Sequence, residues 1–302
     1  MGAPELGRLG VWGHLDTLDA VGVRAYVRRV ATLGYSTLWV PETVGREPFT
    51  LLGMLAADAR DTGIGLGTSI VGIWGHDPQT TRMAAATLAE ATDGRFTLGL
   101  GVSHPHLATK LRGHTYDRPL VRMREYLAAY RGAVMRGEAV AGSDDPPVLL
   151  AALRDRMAVL AATEADGVFP YLVSAERVAA MRDVIDQAAA SAGRPRPILA
   201  VTLPVALAGA VPDPRAAARA YLTPYLRTPN YHASWAHQGF VDEDWTAPGS
   251  DRLVEAMVAC GAEAQVRARV DAMLAAGANH VAIIPLDPDG ASEHLPTLEA
   301  LA

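Results

Sequence analysis

The strongest constraint on the fold is an alternation. Eight short apolar runs are separated by stretches with helical spacing along almost the whole chain. The runs are Leu9–Gly13, Thr37–Val40, Ile64–Val71, Phe96–Leu100, Val148–Ala152, Gly167–Leu172, Ile198–Leu207 and Val281–Pro285. Runs this short, bounded by turn residues, read as buried strands. The stretches between them read as helices: Asp19–Leu33, Thr50–Arg60, Pro78–Ala91, Pro119–Met135, Arg154–Glu164, Ala175–Ala192, Asp213–Leu222 and Glu263–Ala276. In the first of these, Val23, Tyr26, Val27, Val30 and Leu33 share one face, and Gly34 supplies the stop. Strands that alternate with helices pair in parallel, because a parallel neighbour needs a crossover. Eight such units predict a single (β/α)8 barrel of the α/β class over residues 1–302. The alternative is an open doubly wound sheet. Against it, no strand runs into a Gly-x-Gly-x-x-Gly turn with an acidic residue ~20 positions later.

Two stretches interrupt the alternation. Gly137–Pro147 reads as a loop. Thr223–Asp251 holds Pro224, Pro229, Pro248, two Trp and two His. It reads as an inserted excursion over the C-terminal mouth of the barrel; the other reading is a loop packed on its side.

Composition narrows the function. The net charge of -6 leaves no basic surface to balance phosphates, so a nucleic-acid partner is not expected. No apolar run is long enough to span a bilayer, and Met1–Arg8 has no signal-peptide pattern, so a cytoplasmic protein acting on a small molecule is expected. The single cysteine, Cys260, excludes an intrachain disulfide and a Cys-rich metal site. It falls in the turn Val258–Gly261, away from the strand ends, and reads as buried and inert.

In a barrel the chemistry lies at the strand C-termini. Glu42 follows the second strand, where it is a candidate general acid/base or orienting carboxylate, or else the partner of Arg46 or a barrel arginine. The fourth strand runs Phe96-Thr97-Leu98-Gly99-Leu100-Gly101-Val102-Ser103-His104. Its alternating glycines predict close approach of a ligand to the backbone. His104 is a candidate catalytic or substrate-contacting residue, or a hydrogen-bonded structural histidine. His106 is near, but no carboxylate or cysteine joins the pair at ligand spacing, so no metal is expected. After the fifth strand, Arg154 and Arg156 stand in a first helical turn. Cations there oppose the helix dipole, and a bound anion would explain them. The plainer reading has them bonded to Asp155 or Glu164.

Taken together, these strand ends resemble the luciferase-like flavin and deazaflavin enzymes, from Gly10 to Leu286. The closest stretch runs from Gly67-Thr68-Ser69-Ile70 through a Pro-started helix to Asp93-Gly94-Arg95-Phe96-Thr97-Leu98-Gly99-Leu100-Gly101. A second is Ala151-Ala152-Leu153-Arg154 through Ala165-Asp166-Gly167. Pro41–Phe49, Gly101–His104, Arg112–Tyr116, Leu226–Tyr231 and Gly249–Val254 resemble an actinobacterial subgroup that uses coenzyme F420. The resemblance implies a cis peptide at Ser69–Ile70, with Ser69, Ile70 and Gly72 behind a deazaflavin ring and Val102 and Ser103 flanking it. Leu153, Arg154, Arg156 and Met157 would meet the ribityl-phosphate side, with Tyr171 near the phosphate. It also implies a homodimer. Related sugar-phosphate dehydrogenases carry His after the second strand and Glu after the fourth; here Glu42 and His104 stand in those places. The family therefore hands over no substrate. Its implied function is F420-dependent hydride transfer to or from a small organic molecule. The alternatives are an FMN-dependent monooxygenase using O₂ and a separate reductase, and a non-catalytic barrel acting as a partner subunit.

Overall fold

The computed structural model describes residues 6–136, 145–288 and 293–302; most of the expected 137–147 loop lies outside them. The first half alternates β1 (Leu9–Trp12), α1 (Ala20–Thr32), β2 (Thr37–Val40), α2 (Pro48–Thr62), β3 (Gly65–Thr68) and β4 (Val71–Gly72). It continues with α3 (Pro78–Ala91), β5 (Phe96–Gly101), a short π-turn at Leu107–Leu111 and α4 (Pro119–Arg131). The second half holds β6 (Val148–Leu150), α5 (Asp155–Glu164), β7 (Gly167–Val168), α6 (Ala175–Ser191), β8 (Ile198–Leu207) and α7 (Pro214–Leu222). A 3₁₀ turn at Tyr225–Arg227, α8 (Pro229–His237), α9 (Asp242–Trp245), α10 (Asp251–Met257) and β9 (Ala259–Gly261) follow. The chain ends with α11 (Glu263–Ala275), β10 (His280–Pro285) and α12 (Leu295–Leu301).

The sheet closes in the order β10-β1-β2-β3-β5-β6-β7-β8 and back to β10, every pairing parallel. The closing seam pairs His280 with Ala200 through Pro285 with Val205. This is the (β/α)8 barrel. β4 continues β3 beyond a bulge and also pairs with β5.

Why these elements form is visible at their ends. α2 begins at Pro48, two residues before the expected start, because Glu47 accepts hydrogen bonds from the N–H groups of Phe49 and Thr50. α4 stops at Arg131 rather than Met135, with Gly132 as its C-cap residue. β7 is shorter than expected, because Pro170 has no N–H to continue the ladder. Cys260 lies on β9, paired with Ala206 of β8, and not in a turn away from strand ends. Burial pushes its thiol pKa up to about 11, so it stays protonated.

Two apolar layers hold the barrel. One lies between helices and strands; the other fills the interior around the fully buried Trp39. Trp39 donates from Nε1 to His280 Nε2 at 2.9 Å. Gly67 makes room for that ring, since a Cβ there would lie 2.3 Å from it. No helix among the described residues is long and apolar enough to cross a membrane.

Candidate active site

The C-terminal strand ends open into one cavity of about 870 Å³. That is large for a small-molecule site and places it where β/α barrels keep their chemistry.

At the cavity wall the Ser69–Ile70 peptide is cis, as the resemblance implies. Ser69 N–H bonds to Val40 O at 2.8 Å, and Ile70 O accepts from Glu42 N–H at 3.1 Å. Trp12 Nε1 donates to Ser69 O at 3.0 Å. The bulge is thus tied to β1 and β2. Gly99 and Gly101 on β5 accommodate it from the other side. A Cβ on Gly99 would lie 2.0 Å from Thr68 O, and one on Gly101 2.6 Å from Ile70 Cδ1. The expectation that these glycines admit a ligand is therefore corrected: they admit the neighbouring strand. Gly72 also departs from expectation. It borders a side pocket of about 20 Å³ rather than the main cavity, and its N–H donates to Glu42 Oε2 at 2.7 Å.

Ser69, Ile70, Val102, Ser103 and His104 line the cavity together. Ser103 has φ +53°, which turns the chain off β5 so that His104 stands over the mouth. His104 packs against Tyr231 with ring centroids 5.3 Å apart and against His106 at 5.9 Å. Its Nδ1 is buried without a hydrogen-bond partner, which leaves Nε2 as the nitrogen open to the cavity. Burial and the neighbouring His106 push its pKa down to about 4. At neutral pH it is an uncharged imidazole.

Glu42 also lines the cavity, but its carboxylate is enclosed. Oε1 takes His76 Nε2 at 3.1 Å and Arg112 Nη1 as well, while Oε2 takes the Gly72 N–H. Burial pushes its pKa up; the bonds from His76, Gly72 and Arg112 outweigh this and hold it below the usual carboxylate range. Arg46 is not its partner, since its backbone N–H bonds to Asp16 and its guanidinium to Leu18 O.

Leu153, Arg154, Arg156 and Met157 meet the cavity at the start of α5. Arg154 is the N-cap residue and makes no side-chain cap. Neither arginine is held as the plainer reading had it. Asp155 binds Arg177 at 2.7 Å and His237 at 3.3 Å, and Glu164 binds Arg124 at 2.8 Å. Arg154 instead reaches Asn230 Oδ1 of α8 at 3.3 Å. The Tyr171 ring lines the cavity, yet its hydroxyl proton goes to Tyr225 Oη at 2.7 Å while Tyr221 Oη closes on the same oxygen. It has no donor left for a phosphate, which revises its expected role.

Sequence reasoning missed Trp12, His14, Thr202, Tyr225 and Tyr231, which share the cavity. Trp12 ends β1, so the strand-end rule reaches it; the Tyr-rich stretch leading into α8 signals Tyr225 and Tyr231. Thr202 sits mid-strand on β8 with its hydroxyl buried and unpartnered, and nothing in the sequence marks it. Among the described residues, no three of His, Cys, Asp and Glu converge as a metal site.

A family profile described as luciferase-like monooxygenase matches residues 6–280. A protein of Mycobacterium tuberculosis named as a coenzyme F420-dependent oxidoreductase is 26% identical over 247 residues, 72% of this chain and 70% of its own. The structure of an F420-dependent secondary alcohol dehydrogenase in complex with an F420-acetone adduct superposes with TM-score 0.77 at 14% identity, covering 98% of this chain and 99% of that one. The oxygenating constituent of 3,6-diketocamphane monooxygenase of Pseudomonas putida, in complex with FMN, superposes with TM-score 0.69 at 15% identity and 97% coverage of both chains. At those identities the two structures speak to the fold alone.

Proposed function

Since the chain belongs to the luciferase-like monooxygenase family, we propose that it is a coenzyme F420-dependent oxidoreductase acting on a small organic substrate. The observation that carries this reading is that one cavity joins the Ser69–Ile70 bulge to the arginine-bearing start of α5. The first is an apolar backing for a flat ring. The second offers free backbone N–H groups and two exposed guanidiniums to an anionic tail. The buried, unpartnered Thr202 hydroxyl is a further sign that the cavity is shaped for a polar ligand.

Ser69, Ile70, Val102 and Ser103 would hold the ring, and Leu153, Arg154, Arg156 and Met157 the phosphate side. Bound F420 would supply the carbon that takes or gives a hydride. His104 Nε2 is the proton carrier. As a neutral imidazole it takes the hydroxyl proton of an alcohol as the carbon beneath is oxidised, and it returns that proton in the reverse direction. Glu42, its pKa held below the usual carboxylate range and its oxygens bonded on three sides, orients the mouth rather than moving protons. Its anchors tie the loop after β2 to β4 and to Arg112.

Titration of the purified chain with F420 and with FMN, followed by fluorescence, tests the cofactor. Micromolar binding of F420 without FMN is expected; tight FMN binding alone would overturn the reading in favour of a monooxygenase. With a working alcohol, kcat/KM should hold level above pH 5 and fall only as His104 protonates near 4, and His104→Ala should lower it ~10²-fold or more.

A further inference from the structure

One wall of the cavity is built of aromatic faces. Trp12, Phe169 and Tyr171 come from the barrel, Tyr225 and Tyr231 from the segment after β8. The rings brace one another. Tyr171 meets Trp12 at 6.3 Å, nearly stacked, and Tyr225 and Tyr231 edge-on at 5.4 and 5.9 Å. Tyr225 meets Tyr231 edge-on at 5.0 Å. Rings fixed by such contacts present flat apolar surface at little entropic cost on binding.

No charge resides in this wall. Burial raises the phenol pKa values of Tyr171, Tyr225 and Tyr231, and lowers those of His14 and His104, so all five are neutral at pH 7. The charged side chains that reach the cavity are the enclosed Glu42 and, around the starts of α4 and α5, Arg118, Arg154, Asp155 and Arg156. The hydroxyls of Tyr171 and Tyr225 are committed to each other and to Tyr221. A phosphate or a polyol pressed against this wall would lose water with too few bonds in return. His104 and Thr202 Oγ1 are among the polar groups here without a hydrogen-bond partner.

Building on the function proposed above, we infer that this aromatic chamber is the substrate subsite. It selects an uncharged organic molecule with a flat or alicyclic apolar body and a single hydroxyl or carbonyl. Tyr225 supplies the apolar face, His104 Nε2 meets the polar group, and Thr202 Oγ1 is its second hydrogen-bond partner.

The test is ligand-observed NMR titration of the ligand-free chain with cyclohexanone, with glucose 6-phosphate as competitor. Cyclohexanone should bind, and glucose 6-phosphate should not displace it. Tyr225→Ala should weaken binding at least tenfold, whereas Tyr225→Phe, which keeps the face, should stay within twofold. Thr202→Val should weaken it at least threefold without lowering Tm, because it removes an unsatisfied buried hydroxyl. Unchanged affinity in a folded Tyr225→Ala chain, equal loss in Tyr225→Phe, or displacement by glucose 6-phosphate would each overturn the inference. The titration needs no cofactor. A chain that binds cyclohexanone in this pattern but not F420 keeps the subsite and loses the cofactor reading; F420 binding without cyclohexanone binding does the reverse.

Discussion

At the scale of the residue, the barrel interior contains a proton-linked weak point. His280 is fully buried between Trp39 and the Gly7 carbonyl, and accepts from the indole at Nε2. Its remaining proton is therefore on Nδ1, facing Gly7 O. Burial lowers its pKa from 6.5 to about 4. The unfolded chain takes up a proton below pH 6.5 that the folded chain refuses until about 4. Stability is thus complete above 6.5 and drains between those values, by about 3 kcal/mol for this group. Urea denaturation at stepped pH should show the loss, and His280→Gln, which keeps an acceptor for Trp39, should remove its share while that of His104, also lowered to about 4, stays. A parent and variant that lose stability in parallel would refute the assignment. The sequence pointed to Glu42 and His104 because strand-end positions are legible from alternation alone. It could not say that Glu42 is enclosed, since Gly72 of β4, His76 beyond it and Arg112 after the π-turn meet it from parts of the chain remote in sequence.

At the scale of the element, β3 and β5 are fitted to each other through missing side chains. Gly99→Ala would press a methyl group on the Thr68 carbonyl, which is backbone and cannot give way. A fall in Tm of roughly 5 °C or more is expected. Gly101→Ala meets the Ile70 side chain at 2.6 Å and the Ala151 Cβ at 3.2 Å rather than a backbone carbonyl, so Tm should fall less than for Gly99→Ala while F420 binding weakens. If the two variants melt alike, the bulge is not what these glycines serve. Helix and strand order was readable from hydrophobic period, whereas β9 was not: three residues, Ala-Cys-Gly, carry no periodicity, and they pair only because β8 overruns the seam. The bulge itself came from family resemblance; composition and spacing do not encode it.

At the scale of the whole molecule, the homodimer implied by the family remains a proposal. Exposed Met54 on α2 and Met83 on α3, helices that pack side by side, are apolar surface available to it. Sedimentation should give twice 31.9 kDa, and Met54→Glu with Met83→Glu should shift the chain toward one copy if that face is used. A single copy for the parent chain at micromolar concentration would remove the dimer. The closed barrel was the most legible feature, since eight repeats of one pattern leave few topologies. The part after β8 was the least, because its short helices follow no such repeat. That part carries Tyr225 and Tyr231, while the bulge and the start of α5 belong to the barrel. No strand of the closed sheet lies between β8 and β9. Descendants of this chain are therefore free to rewrite that stretch while the eight strands stay under constraint. Changes in that stretch would alter Tyr225 and Tyr231 while leaving the bulge and the start of α5 in place.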